Sequence, residues 1–144
     1  MSTQYDVIII GCGEAGLYAA YQLIQKTRDL KLLILDKGES IEKRICPITA
    51  GKVDHCINCR ACAIMNGFGG AGAFSDGKFN FTTDFGGWLT DYMDKAEVMD
   101  LIEQVDAINV SFGATEERYS TATKEARELA RLALQHDLHL LNAA

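Results

Sequence analysis

Three glycines at positions 11, 13 and 16 and an aspartate at position 36 have the residue types and spacing needed to hold a dinucleotide. In Gly11-Cys12-Gly13-Glu14-Ala15-Gly16 each glycine answers a separate physical need. Gly11 lets the chain turn sharply. Gly13 offers a pyrophosphate bare backbone, and Gly16 lets a helix pack closely on a strand. The free N–H groups of the first helical turn, which includes Glu14 and Ala15, carry the positive end of the helix dipole toward the phosphates. Asp36 lies twenty residues after Gly16. An acid there accepts hydrogen bonds from an adenosine ribose and repels a 2′-phosphate, which favours FAD or NAD over NADP. Lys37, its neighbour, is counted with the same site.

Two further stretches carry chemistry. Cys46, Cys56, Cys59 and Cys62 form the pattern C-x9-C-x2-C-x2-C. Three thiolates at that spacing can converge on one centre across a short turn, as in iron–sulfur and zinc loops. Cys46-Pro47 is a fourth candidate ligand, although it stands upstream of the run, whereas ferredoxins place it downstream. The spacing leaves open an iron–sulfur cluster, a zinc ion and metal-free thiols. The segment Asn66-Gly67-Phe68-Gly69-Gly70-Ala71-Gly72-Ala73-Phe74-Ser75-Asp76-Gly77-Lys78 is rich in small residues and allows close backbone approach to a flat ligand. Its bare N–H groups suit phosphate or ring oxygens, and Phe68 and Phe74 could pack against the ligand.

The elements that must position these residues are readable from periodicity. The apolar run Tyr5–Ile10 predicts a strand that ends at Gly11, and the run Lys31–Leu35 predicts a second buried strand that ends at Asp36. Between them a helix is expected over Glu14–Thr27, with Ala15, Ala19, Ala20, Leu23 and Ile24 facing the sheet. Residues 45–87 show little periodicity and hold four cysteines and the single proline, as a binding loop would. Asp94 and Glu97 form a capping-box start for a helix with Val98, Leu101, Ile102, Val105 and Ile108 on one face and Gly113 as its stop. A further helix is expected from Thr121 as N-cap to His136-Asp137, with a stripe of Ala126, Leu129, Ala130 and Ala133. Leu138–Leu141 then reads as a short strand.

Composition narrows the classes. The chain has 144 residues, 48% of them hydrophobic, and a net charge of −6. That is enough for a modest core, and the acidic balance argues against a nucleic-acid surface. No apolar run approaches membrane-spanning length, and Met1-Ser2-Thr3-Gln4 has neither a basic stretch nor a cleavage site. The expectation is a cytoplasmic protein. Five cysteines there point to thiol, metal or cluster chemistry rather than disulfides.

Taken together, Tyr5–Gly16, the clustered cysteines and Gly67–Lys78 resemble the FAD-dependent dehydrogenases of bacteria and archaea. The likeness extends through Gly86-Gly87-Trp88-Leu89 and Val105-Asp106 to Phe112-Gly113-Ala114. The resemblance implies an α/β class. It points to an incomplete, Rossmann-like FAD/NAD(P)-binding βαβ fold of the glutathione-reductase type, followed by the start of an inserted helical or α+β region. Residues 1–88 would form the FAD-binding unit, with a Cys-rich loop at 46–62 and a Gly-rich loop at 67–78. Residues 89–144 would begin a second domain. Such proteins run to several hundred residues, so the chain is expected to be an N-terminal piece of a longer one. They usually carry Glu where this sequence has Asp36.

The activity implied is a FAD-dependent oxidoreductase that moves hydride or electrons through non-covalently bound FAD. NAD would be an electron donor or acceptor, and a small molecule or a redox protein would be the partner. Gly11, Gly13 and Gly16 would take the pyrophosphate and Asp36 the ribose. Gly69, Gly70, Ala71, Gly72 and Ser75 would approach the pyrophosphate or the isoalloxazine, with Asp76 and Lys78 near the reactive ring. The alternatives are an NAD-binding module and a non-catalytic dinucleotide- or metal-binding fragment.

Overall fold

The computed structural model describes residues 4–84 and 86–140. The chain divides into two compact units, Met1–Lys78 and Phe79–Ala144.

The first unit is a small βαβ arrangement. Strand β1 (Val7–Ile10) leads into helix α1 (Glu14–Lys26), which returns to strand β2 (Leu32–Leu35). The strands pair in parallel, with Val7 opposite Leu32 and Ile10 opposite Leu35. The second strand is expected to be buried, but Leu32, Leu33 and Ile34 are only half-buried and Leu35 is exposed, as are Ile8 and Ile10 of β1, because the pair is covered by one helix and has no further strand beside it among the described residues. Asp6 fixes the entry to the sheet, because its Oδ2 accepts the Lys31 N–H at 2.8 Å. Helix α1 approaches β1 at Gly16, with Ala20 buried and Leu23 half-buried four and seven residues on. The inward face is rotated from the one expected: Ala15, Ala19 and Ile24 are exposed, while Ala20 is buried. The rotation follows from Gly16. A Cβ there would strike the carbonyl of Gly11 and come within 3.3 Å of Ile9 Cγ2, so Gly16 sits at the point of closest approach and sets the face.

From Asp36 to Lys78 the chain is irregular except for short 3₁₀ turns at Ile41–Lys43 and Gly70–Phe74.

The second unit holds helices α2 (Lys95–Ser111) and α3 (Lys124–Gln135). The expected capping box starts α2, with the Asp94 N–H donating to Glu97 Oε2 at 3.1 Å and the Asp94 side chain returning to the first turn. Gly113, at φ +105°, follows its last turn. Helix α3 begins two residues later than expected. Its N-cap is Thr123, whose Oγ1 accepts the Ala126 N–H at 3.1 Å. Both Thr121 and Thr123 are suitable cap types, so sequence alone could not rank them. Ala126, Ala130 and Ala133 lie on the more protected side of α3, but Leu129 is exposed, contrary to the expected stripe. Leu138–Leu140 form no strand, and Leu141 lies outside the described residues. Arg118 bridges Glu103 and Asp106 of α2, at 2.7 Å to Asp106 Oδ2, and stacks over the Phe81 ring. Among the described residues no helix is long and apolar enough to cross a membrane.

Candidate functional site

Three separate stretches of the first unit converge: the glycine turn at 11–16, the corner at 36–39 and the glycine-rich segment at 66–74. Asp36 is the hub. Its Oδ2 accepts the Cys12 N–H at 2.8 Å, and its Oδ1 accepts the N–H groups of Gly38 and Gly67, each at 2.8 Å. The Cys12 N–H first, then that of Gly38, hold the carboxyl below its usual value. Some loss of hydration opposes them, and the Gly67 N–H and the positive charge of Arg44 add to them. Asp36 is therefore ionised over the whole physiological range. A carboxylate has roughly four lone-pair positions, so three internal donors leave room for one more.

The glycine-rich segment docks directly on the first turn. The Gly69 N–H donates to the Cys12 carbonyl at 2.9 Å, and the Phe68 N–H donates to the Glu39 carbonyl at 3.1 Å. Gly70 has φ +57°, and a Cβ on it would lie 2.8 Å from Gly13 Cα. Gly72 faces Glu14, whose Oε1 would lie 2.5 Å from a Cβ at that position. The face of Gly13 expected to meet a pyrophosphate thus meets the backbone of Gly70. Gly69 and Gly70 thus rest on the backbone of Cys12 and Gly13, and Gly72 on the Glu14 side chain.

The N-terminus of α1 remains available. No side chain caps it, and its first intrahelical bond runs from the Leu17 N–H to the Gly13 carbonyl at 3.0 Å. The N–H groups of Glu14, Ala15 and Gly16 therefore have no helical partner. Beside the turn, Ile10, Gly11, Leu35, Asp36, Lys37 and Asn66 line an open cleft of about 470 Å³. These features fit a dinucleotide: free donors for phosphate oxygens, a cleft of nucleoside size, and one acceptor position on Asp36 for a ribose hydroxyl.

Arg44 is a buried residue of this junction that the sequence did not single out. It is only 4% exposed. Its Nε donates to the Ala63 carbonyl at 2.9 Å and its Nη1 to the Phe68 carbonyl at 2.5 Å. Its Nη2 donates to the carbonyls of Ile64 and Gly70, both at 2.7 Å. The guanidinium also lies 4.6 Å from the Phe74 ring centre. Its planar fork of five donors suits convergent carbonyls as no lysine could. Nothing in Lys43-Arg44-Ile45 marks the middle residue as buried.

The remaining expected residues are placed as follows. Ser75 Oγ accepts the Gly77 N–H at 2.9 Å and closes a local turn. Asp76 and Lys78 pair with each other at 3.0 Å on an exposed surface, and the Lys78 ammonium holds the Asp76 carboxyl below its usual value. Cys12 is buried in the glycine turn. Cys46, Cys56, Cys59 and Cys62 are free thiols, and among the described residues no three His, Cys, Asp or Glu side chains are grouped to hold a metal ion. The N–H groups of Thr49 and then Ile48 hold the Cys46 thiol below its usual value. Comparisons with known protein families, curated proteins and solved structures gave no match.

Proposed function

We propose that this chain binds FAD as the nucleotide-binding part of a FAD-dependent oxidoreductase, its βαβ unit being the start of a Rossmann-like fold. The observation that carries the reading is the convergence on Asp36 of the uncapped glycine turn at α1 and the docked segment 66–74. In this reading the N–H groups of Glu14, Ala15 and Gly16 bind phosphate oxygens, and the α1 dipole favours their charge. Asp36 takes one ribose hydroxyl on its remaining lone-pair position. The cleft lined by Ile10, Leu35 and Lys37 receives the adenosine. The backbone of Gly69–Gly72, seated on the turn, excludes water from one side of the phosphates. Bound FAD supplies the capacity to accept a hydride or single electrons from a donor and pass them on. A small molecule or redox protein is the proposed partner.

The same turn and aspartate would serve NAD. The docked glycine-rich segment favours FAD, because an NAD module has no need of it. The test is reconstitution: the purified chain is incubated with FAD, freed of excess cofactor by gel filtration, and its spectrum recorded. Flavin absorbance co-eluting with the protein is the expected result. Colourless protein that instead binds NAD in a calorimeter would replace FAD with NAD, and binding of neither would reject the dinucleotide reading.

A further inference from the structure

Arg44 is a buried cation without a buried anion. Among the described residues it makes no ion pair. Its four hydrogen bonds all go to backbone carbonyls. A charge taken out of water is costly unless dipoles and an opposite charge compensate it. Carbonyl dipoles supply the first here, and no carboxylate touches the guanidinium to supply the second. One of the carbonyls it holds belongs to Gly70, the residue seated on Gly13. The guanidinium, on which the Asp36 carboxylate acts electrostatically without an ion pair, is therefore one backbone layer from the turn, on the side where the glycine-rich segment closes.

We propose that Arg44 is a positioning residue whose buried charge makes the glycine turn selective for an anionic, pyrophosphate-bearing ligand. It does this while pinning the 63–70 backbone against the turn. The inference rests on the dinucleotide reading and deepens it: the charge complementary to the ligand comes from beneath the docked segment as well as from the α1 dipole. Several features separate this role from a purely structural one. Four carbonyls could be satisfied by neutral donors or ordered water, and a neutral pin would support adenosine and ADP equally. A charge distinguishes them, because only ADP carries phosphates.

The test is calorimetric titration of the full chain with ADP and with adenosine, in the wild type and in R44Q and R44K. Glutamine keeps a hydrogen-bonding amide without the charge; lysine keeps the charge without the fork. The wild type is expected to bind ADP more tightly than adenosine. R44Q is expected to lose about tenfold of that preference, the size of one charge acting across several ångströms at an effective dielectric near ~20. Its adenosine affinity is expected to stay close to that of the wild type, and R44K to keep most of the preference. A folded R44Q that keeps the full preference would overturn the inference while leaving the dinucleotide reading intact. Should R44Q fail to fold, R44K decides: loss of the preference there, with the charge retained, would equally overturn it. A wild type that binds neither nucleotide would reject the dinucleotide reading and this inference with it.

Discussion

The Asp36 carboxylate accepts the backbone N–H of Gly67 at 2.8 Å, across 31 residues of chain. The same side chain holds Cys12, so one carboxylate joins the end of β2, the glycine turn and the glycine-rich segment. Asp36→Asn is the direct test of that joint. Asparagine would turn an NH₂ group toward backbone donors, and the charge assistance would be lost. The expected cost is about 1–3 kcal/mol, read as a lower urea midpoint with an unchanged slope. Little or no loss would mean the three bonds do not hold the segments together.

The pH dependence has a definite sign. The folded Asp36 carboxyl titrates below its usual value, so the unfolded chain binds the proton more readily. Its contribution is complete above the unfolded value of about 3.9 and is lost as pH falls through the lower folded value. Urea unfolding of the wild type and D36N along a descending pH series should show two curves that converge in acid. Parallel curves would contradict the assignment.

Gly70 and Gly77 make a matched pair of substitutions. Both have positive φ, +57° and +75°, but a Cβ on Gly77 meets open space, whereas one on Gly70 meets Gly13 Cα at 2.8 Å. G77A is expected to cost only the left-handed backbone penalty, about 1–2 kcal/mol. G70A adds a backbone collision and is expected to cost clearly more, beyond about 3 kcal/mol. Equal losses would argue that the glycine-rich segment does not rest on the turn.

In the second unit, Thr123→Ala removes the Oγ1 that accepts the Ala126 N–H. The expected loss is about 1 kcal/mol with reduced helical ellipticity. Thr121→Ala should not remove this cap, so a larger helical loss there than in T123A would return the cap to the position expected from sequence.

The βαβ unit was legible because its signals are local. An apolar run ends at a glycine turn, a helix follows, and a second apolar run ends at an acid. The Asp94–Glu97 box was legible for the same reason. The inward face of α1 was not, because it depends on the collision that a Cβ at Gly16 would have with the Gly11 carbonyl, not on hydrophobicity. Leu129 was placed inward by its apolarity, whereas the small Ala133 is the residue buried on α3. The docking of Gly70 on Gly13 joins residues far apart in sequence through bare backbone, which leaves no periodic trace. Arg44 had no signal of its own: burial of a guanidinium is decided by four carbonyls that meet only in the fold.

In the proposed binding mode the N–H groups opening α1 receive the phosphates of a dinucleotide. Amide NMR of the labelled chain, titrated with ADP and separately with adenosine, tests it residue by residue. The Glu14, Ala15 and Gly16 amides are expected to shift strongly with ADP and much less with adenosine, while amides around Asp36 and Lys37 respond to both. Amides at Glu14–Gly16 that stay still while ADP binds elsewhere, or an ADP titration that moves nothing, would contradict it.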